Sequence, residues 1–166
     1  MVAQREARVE APQASDLYTV GTLAVVHKVV KMPNQSLFVF AEGLERVRLT
    51  EFTQLTPFMR GRVDPVPEAI PPKSSEVEAL QRNVLTLFQQ IVASSPTVSD
   101  EVSTVAMNIE EPSRLVNFIA SLLPSLSTAD KQDTLETIDV RVRLEKINQH
   151  LAKQLGGLSE GCKPDD

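Results

Sequence analysis

Leu37-Phe38-Val39-Phe40-Ala41-Glu42-Gly43-Leu44-Glu45-Arg46-Val47-Arg48-Leu49 begins as an unbroken run of β-formers and ends by alternating polar and apolar residues. A two-residue repeat puts Val47 and Leu49 on one face of a sheet and Arg46 and Arg48 on the other. Just upstream, Pro33-Asn34-Gln35-Ser36 is a cluster of turn formers. Before it, residues 17–30 form another β-rich run, in which Gly21 is expected to mark a bulge or bend. The spacing predicts an antiparallel hairpin, without the Asn-Gly pair that favours the tightest turns. A second hairpin is expected from Phe52 through Val63, ended by Pro65 and Pro67.

Beyond Pro71-Pro72 the period changes from two to about 3.6 residues. Ser75-Glu76-Val77-Glu78 reads as a capping box. Val77, Leu80, Val84, Leu87, Phe88, Ile91 and Val92 then form one apolar helical stripe that Ser94-Ser95-Pro96 ends. Further helices are expected over residues 100–107, from Pro112 toward Pro124, and from Ser127 through Glu136. The last opens near Asp139, carries Val140, Leu144, Ile147, Leu151 and Leu155, and is expected to stop at Gly156-Gly157. None of these helices is stable alone in water, so the stripes must pack on one another. The result is an α+β chain: an antiparallel β-subdomain over residues 1–70, a helical bundle over 71–155, and a disordered tail over 156–166 with almost nothing to bury.

Charge divides at the same place. Residues 1–72 carry eight Lys/Arg against eight Asp/Glu, and residues 73–166 carry nine against fourteen, so the net charge of −5 lies wholly in the second part. That balance gives no general attraction to nucleic acid or anionic membranes. Across 166 residues, 42% are apolar and one is cysteine, which fits a globular chain and excludes an internal disulfide framework. No run approaches the length of a membrane helix, and Arg5, Glu6 and Arg8 stand where a signal peptide needs an apolar core. A soluble cytoplasmic protein is expected.

Catalytic arrangements are not found in the sequence. His27 and His150 offer bases, but no serine sits in a nucleophile elbow. Gly156, Gly161, Cys162 and Lys163 miss the phosphate-loop spacing. Glu110-Glu111 suits the approach to a helix at Pro112, Asp130 and Asp133 read as a solvated helical face, and Cys162 as an exposed thiol. No cofactor or metal site is expected. Arg46, Arg48, Arg60 and Arg62 could share one side of a sheet, with Phe38, Phe40, Phe52 and Phe58 as stacking aromatics. An RNA-binding face is therefore the alternative, and a solvated polar face the ordinary reading.

Three segments together resemble the N-terminal domain of the bacterial Lon ATP-dependent protease. The first is Asp16-Leu17-Tyr18-Thr19-Val20-Gly21-Thr22-Leu23-Ala24, similar to the family's Val-Gly-Thr-x-Ala strand. The second runs from Met32-Pro33 through Glu42-Gly43-Leu44-Glu45-Arg46, similar to its Glu-Gly-x-x-Arg hairpin. The third holds Pro112-Ser113-Arg114-Leu115-Val116, Asp130-Lys131-Gln132, Leu135-Glu136, Asp139-Val140 and Arg143-Leu144. The resemblance covers about residues 2–155. It implies a PUA-like β-subdomain followed by a helical bundle, with Gly43 letting the chain bend or bulge.

The family's opening strands, its ATPase and its serine–lysine pair have no counterpart here, so the chain is expected to be truncated at both ends and non-catalytic. Its sheet is then expected to lack neighbours and to expose edge amides and apolar surface. The implied role is a substrate-recognition module for unfolded or damaged polypeptides, supporting assembly through self-association or contact with Lon subunits. A non-functional gene fragment is a further reading. Recognition of unfolded chains needs adaptable apolar side chains, and Met32, Phe58 and Met59 are the candidate contacts.

Overall fold

The two β-rich runs form one long hairpin in the computed structural model, which describes residues 1–69, 74–95 and 99–160. Strand β1 (Val20–Lys31) pairs antiparallel with β2 (Leu37–Gln54), from Val20 opposite Arg48 to Lys31 opposite Leu37. Strand β3 (Arg60–Pro65) pairs antiparallel with the far half of β2, giving a sheet in the order β1-β2-β3. The chain divides into two compact units, Met1–Pro67 and Glu68–Asp166.

The hairpin turn lies where the turn formers cluster. Met32 N–H donates to the Ser36 carbonyl at 2.9 Å, Gln35 N–H donates to Met32, and Asn34 Oδ1 accepts from the Ser36 amide. Gln35 adopts a φ of 67°, a left-handed conformation uncommon for a residue with a side chain.

Two irregularities break the β1–β2 ladder. The register steps from Leu23–Glu45 to Ala24–Gly43, leaving Leu44 over, and from Val26–Ala41 to Lys28–Phe40, leaving His27 over. The bulge expected at Gly21 is therefore at His27 and Leu44 instead, and Gly21 pairs regularly with Val47. Gly21 is needed for another reason: a Cβ there would collide with the Met1 backbone carbonyl and the Val2 side chain. That close approach belongs to a short antiparallel pairing along the outer edge of β1. The Met1 amino group donates to the Thr22 carbonyl at 2.7 Å, Thr22 N–H donates to Met1 at 2.8 Å, and Gln4 lies opposite Leu17.

The second unit is helical: α1 (Ser75–Ser94), α2 (Asp100–Met107), α3 (Pro112–Leu122), α4 (Thr128–Glu136) and α5 (Val140–Glu160). Its core joins Val84, Phe88 and Ile91 of α1 to Leu115, Val116 and Ile119 of α3 and to Leu144, Ile147 and Leu151 of α5. Two boundaries differ from expectation. The cap of α1 is Ser74, whose hydroxyl accepts from the Val77 amide; the position that would return a carboxylate is then Val77, so no box forms around Ser75. Helix α5 continues through Gly156 and Gly157 to Glu160, so the expected tail does not begin at Gly156. A mid-helix glycine costs only about 1 kcal/mol relative to alanine and does not stop a helix by itself. The double proline at 71–72, Pro96, and Cys162 with Lys163 lie outside the described residues.

A capping box does form at α4. Ser127 Oγ accepts from the Asp130 amide at 3.1 Å, while Asp130 Oδ2 accepts from the Ser127 amide at 3.2 Å and from its hydroxyl. Asp130 is thus a cap as well as a solvent-accessible side chain of that helix. These hydrogen bonds, the Ser127 hydroxyl first, hold its carboxyl below its ordinary pKa. The folded value lies below the unfolded one, so the stabilisation is present above the unfolded pKa and is lost as pH falls through the folded pKa. An NMR titration is expected to give Asp130 a depressed midpoint that rises toward the ordinary value in Ser127→Ala; an unchanged midpoint would remove the hydroxyl as its cause.

Candidate functional site

The sheet is buried at one end of its first hairpin and open at the other. Val20 and Val47, near the base of β1, are buried. Toward the turn the pairs are Val29–Val39, Val30–Phe38, Lys28–Phe40 and Lys31–Leu37. Alternation sets Leu37 and Val39 on one face of the ribbon and Phe38 and Phe40 on the other. Leu37, Phe38, Val39 and Phe40 are respectively 62%, 57%, 53% and 55% exposed. Val25, Val26 and Val29 on β1 are exposed as well. Both faces of one ribbon therefore offer apolar side chains to solvent, whereas a half-buried antiparallel sheet keeps one polar face.

The three candidate contacts fall in two places. Met32 is exposed beside the β1–β2 turn, while Phe58 and Met59 are exposed in the β2–β3 turn, at the opposite end of the 18-residue β2. The structure does not bring them together. Met32 is continuous with the apolar ribbon, and Phe58 lies under the Arg60 guanidinium at 4.8 Å from the ring centre. Thr56-Pro57 in that turn is a cis peptide. In the sequence, residues 37–40 read as strand formers, with Phe38 and Phe40 also the stacking aromatics of the RNA-binding alternative. Their signal was the unbroken apolar run, which places apolar groups on both faces whether or not anything covers them.

The motif residues are mostly architectural. Val20 is buried, Gly21 admits Met1, Thr22 bonds to Met1, Pro33 is in the turn, Glu42 Oε2 lies 2.9 Å from His27 Nε2, and Gly43 adjoins the Leu44 bulge. Arg46 is only 8% exposed, so it is not on a solvated face. The arginine platform is broken up accordingly: Arg46 is buried, Arg62 lies 3.7 Å from Glu51, Arg60 covers Phe58, and Arg48 faces Asp64 across the ladder. Lys131 is half-buried on α4, and the buried Gln132 donates to Glu136 at 2.8 Å. Leu144 belongs to the helical core.

Arg143 has no exposed surface. Its Nη1 donates to Ser113 Oγ at 2.7 Å and to Glu68 Oε1 at 3.1 Å, its Nε donates to the Thr134 carbonyl, and its Nη2 donates to Asn117 Oδ1. Ser113 in turn donates to Glu68 at 2.6 Å. A saturated guanidinium of this kind ties α3, α4 and α5 together and is occupied by the fold itself. Among the described residues, no cluster of three or more His, Cys, Asp or Glu side chains could hold a metal ion. No helix among them is long and apolar enough to cross a membrane.

Comparison with known proteins points one way. Residues 1–153 match the family model described as the ATP-dependent protease La (LON) substrate-binding domain. The chain is 77% identical over 155 residues to Lon protease of Koribacter versatilis, covering 93% of this chain and 19% of that protein. It is 37% identical over 147 residues to Lon protease of Dictyoglomus thermophilum. The chain thus spans about a fifth of the length of these relatives. In fold it is similar to the N-terminal domain of Mycobacterium avium complex Lon protease, with a TM-score of 0.71 at 20% identity, over 85% of this chain and 74% of that one. A Lon N-terminal domain protein from Xanthomonas campestris superposes with a TM-score of 0.53 at 16% identity, over 82% of this chain.

Proposed function

The chain belongs to the family of Lon substrate-binding domains, and from that premise we propose that it is a non-catalytic module that binds unfolded or damaged polypeptides for ATP-dependent proteolysis. One observation carries this reading: the β1–β2 ribbon exposes Leu37, Phe38, Val39 and Phe40 on its two faces together. Exposed apolar patches on that scale act as interaction surfaces. Met32 at the turn extends the ribbon, and its flexible, polarizable side chain suits partners of varied shape. Phe58 and Met59 form a second contact at the far end of β2. The module acts in the cytoplasm and supports assembly with Lon subunits.

The test is binding of a protein in two states. Carboxymethylated, permanently unfolded lactalbumin is expected to bind the chain, and native lactalbumin is not. Equal binding of the two forms, or of neither, would overturn the reading. RNA binding has less support, because Arg46 is buried and Arg62 has a carboxylate beside it. A salt-sensitive RNA complex weakened by Arg48→Ala would reverse that order.

A further inference from the structure

All four methionines of the chain, Met1, Met32, Met59 and Met107, are exposed. Among the described residues, the buried apolar core is built instead from valine, leucine, isoleucine, phenylalanine and alanine. Methionine ordinarily fills irregular gaps inside a core, whereas here its thioethers lie at the surface. Met32 directly follows Lys31, which pairs with Leu37, and so stands at the end of the apolar ribbon. Its backbone is fixed by the turn: its N–H donates to the Ser36 carbonyl and its carbonyl accepts from the Gln35 amide, both at 2.9 Å. The turn is completed by Asn34 Oδ1, which accepts from the Ser36 amide and hydroxyl. These bonds run through backbone, Asn34 and Ser36, so the shape of the turn does not depend on the oxidation state of the Met32 sulfur.

We propose that Met32 is a peroxide-sensitive contact, whose oxidation to the sulfoxide weakens the binding of unfolded polypeptides and whose reduction restores it. In the forward step the sulfur lone pair takes one oxygen of hydrogen peroxide and the O–O bond breaks. The proton on the transferred oxygen passes to the departing hydroxide, giving water. Sulfur is oxidised from sulfide to sulfoxide, and the peroxide is reduced. Peroxide reaches all four sulfurs, but the consequence depends on place. A sulfoxide oxygen is a hydrated acceptor, and an apolar guest laid over it strips that hydration without returning a hydrogen bond. At Met32 this penalty falls beside Leu37, Phe38, Val39 and Phe40, the apolar side chains that a guest must cover. Met59 lies in the other turn, next to a Phe58 ring that Arg60 covers, and Met107 lies on α2 of the helical unit.

This inference deepens the polypeptide-binding reading and rests on it, and the experiment separates the two. The full chain is treated with hydrogen peroxide, the oxidant is removed, and the sulfoxides are located by mass spectrometry. Binding of carboxymethylated lactalbumin is then measured before treatment, after it, and after incubation with methionine sulfoxide reductases for both epimers. Oxidation is expected to weaken binding about fivefold at an unchanged melting temperature, and the reductases are expected to restore it. Met32→Leu, compared only with itself before and after peroxide, is expected to change less than twofold although Met59 and Met107 still oxidise. Unchanged binding by a chain carrying the Met32 sulfoxide would overturn the switch and spare the polypeptide-binding reading. So would a Met32 that resists peroxide while Met107 reacts, a fivefold loss that persists in Met32→Leu, a loss that the reductases do not reverse, or a loss accompanied by a lowered melting temperature. Failure of the untreated chain to bind unfolded lactalbumin would overturn both.

Discussion

Replacing Arg143 with alanine is expected to destabilise the helical unit by about 3 to 5 kcal/mol, the usual cost of breaking a buried charge network by removing one member. Arg143 has no exposed surface and donates to Ser113, Asn117, Glu68 and the Thr134 carbonyl. Its loss opens a cavity the size of a guanidinium and strands acceptors from three parts of the chain. Glu68→Gln is expected to cost less, because the Glu68 side chain is 23% exposed and water can reach it. Lysine at position 143 is expected to recover only part of the stability. A point charge cannot meet the Thr134 carbonyl, Asn117 and Ser113 in the fork geometry that a guanidinium supplies. Urea unfolding followed by the helical circular dichroism signal reads all three. A loss under about 1 kcal/mol for Arg143→Ala, within the range of an ordinary exposed substitution, would mean that the apolar core alone sets the angle between α3, α4 and α5.

Arg143 also shows where reading from the sequence stops. Its place in a recurring motif was legible, but its role was not, because the acceptors come from residues 9 to 75 positions away, on different elements. Local patterns carried much of the fold. Alternation over residues 45–49 located β2, Pro112 opened α3, and Ser127 marked the start of α4. Where two local signals competed, the outcome depended on neighbours. Ser74 and Ser75 are both good caps, and the chain uses the first. Gly156-Gly157 looks like a stop, yet no proline lies nearby to enforce it, and α5 runs on. Gly21 looked like a bulge and is instead a gap for Met1, a contact twenty residues distant that no periodicity reports. Arg46 shows the same limit from the other side. Alternation assigned it correctly to the face opposite Val47, but could not say that this face is covered there.

The exposed ribbon was hidden for the same reason. Burial is a property of what lies over a strand, and a run such as Leu37-Phe38-Val39-Phe40 has the same composition whether it is a core strand or an open one. Its exposure turns residues that read as scaffold into the principal candidate surface, and moves Met32 from an isolated contact to one end of it.

The variant Phe38→Ser with Phe40→Ser is therefore expected to weaken binding of unfolded lactalbumin by about thirtyfold, the equivalent of one strong interface anchor. Both rings lie on one face of the ribbon and more than half of each is exposed, so little packing within the chain is lost. Stability is expected to stay within about 0.5 kcal/mol, as for surface substitutions generally. That pairing of a large binding loss with an unmoved melting temperature separates a contact surface from a hidden core. The companion variant Leu37→Ser with Val39→Ser tests the opposite face. If guests lie across the ribbon and use both faces, the two variants lose comparable affinity; if they lie on one, a single variant carries nearly the whole loss. Phe58→Ser with Met59→Ser, at the far end of β2, is expected to cost less, because that turn offers fewer apolar neighbours and Arg60 already covers the Phe58 ring. Unchanged lactalbumin binding in the Phe38/Phe40 variant would move the binding surface off that face, and a fall in melting temperature of many degrees would show the rings to be packed against something in solution.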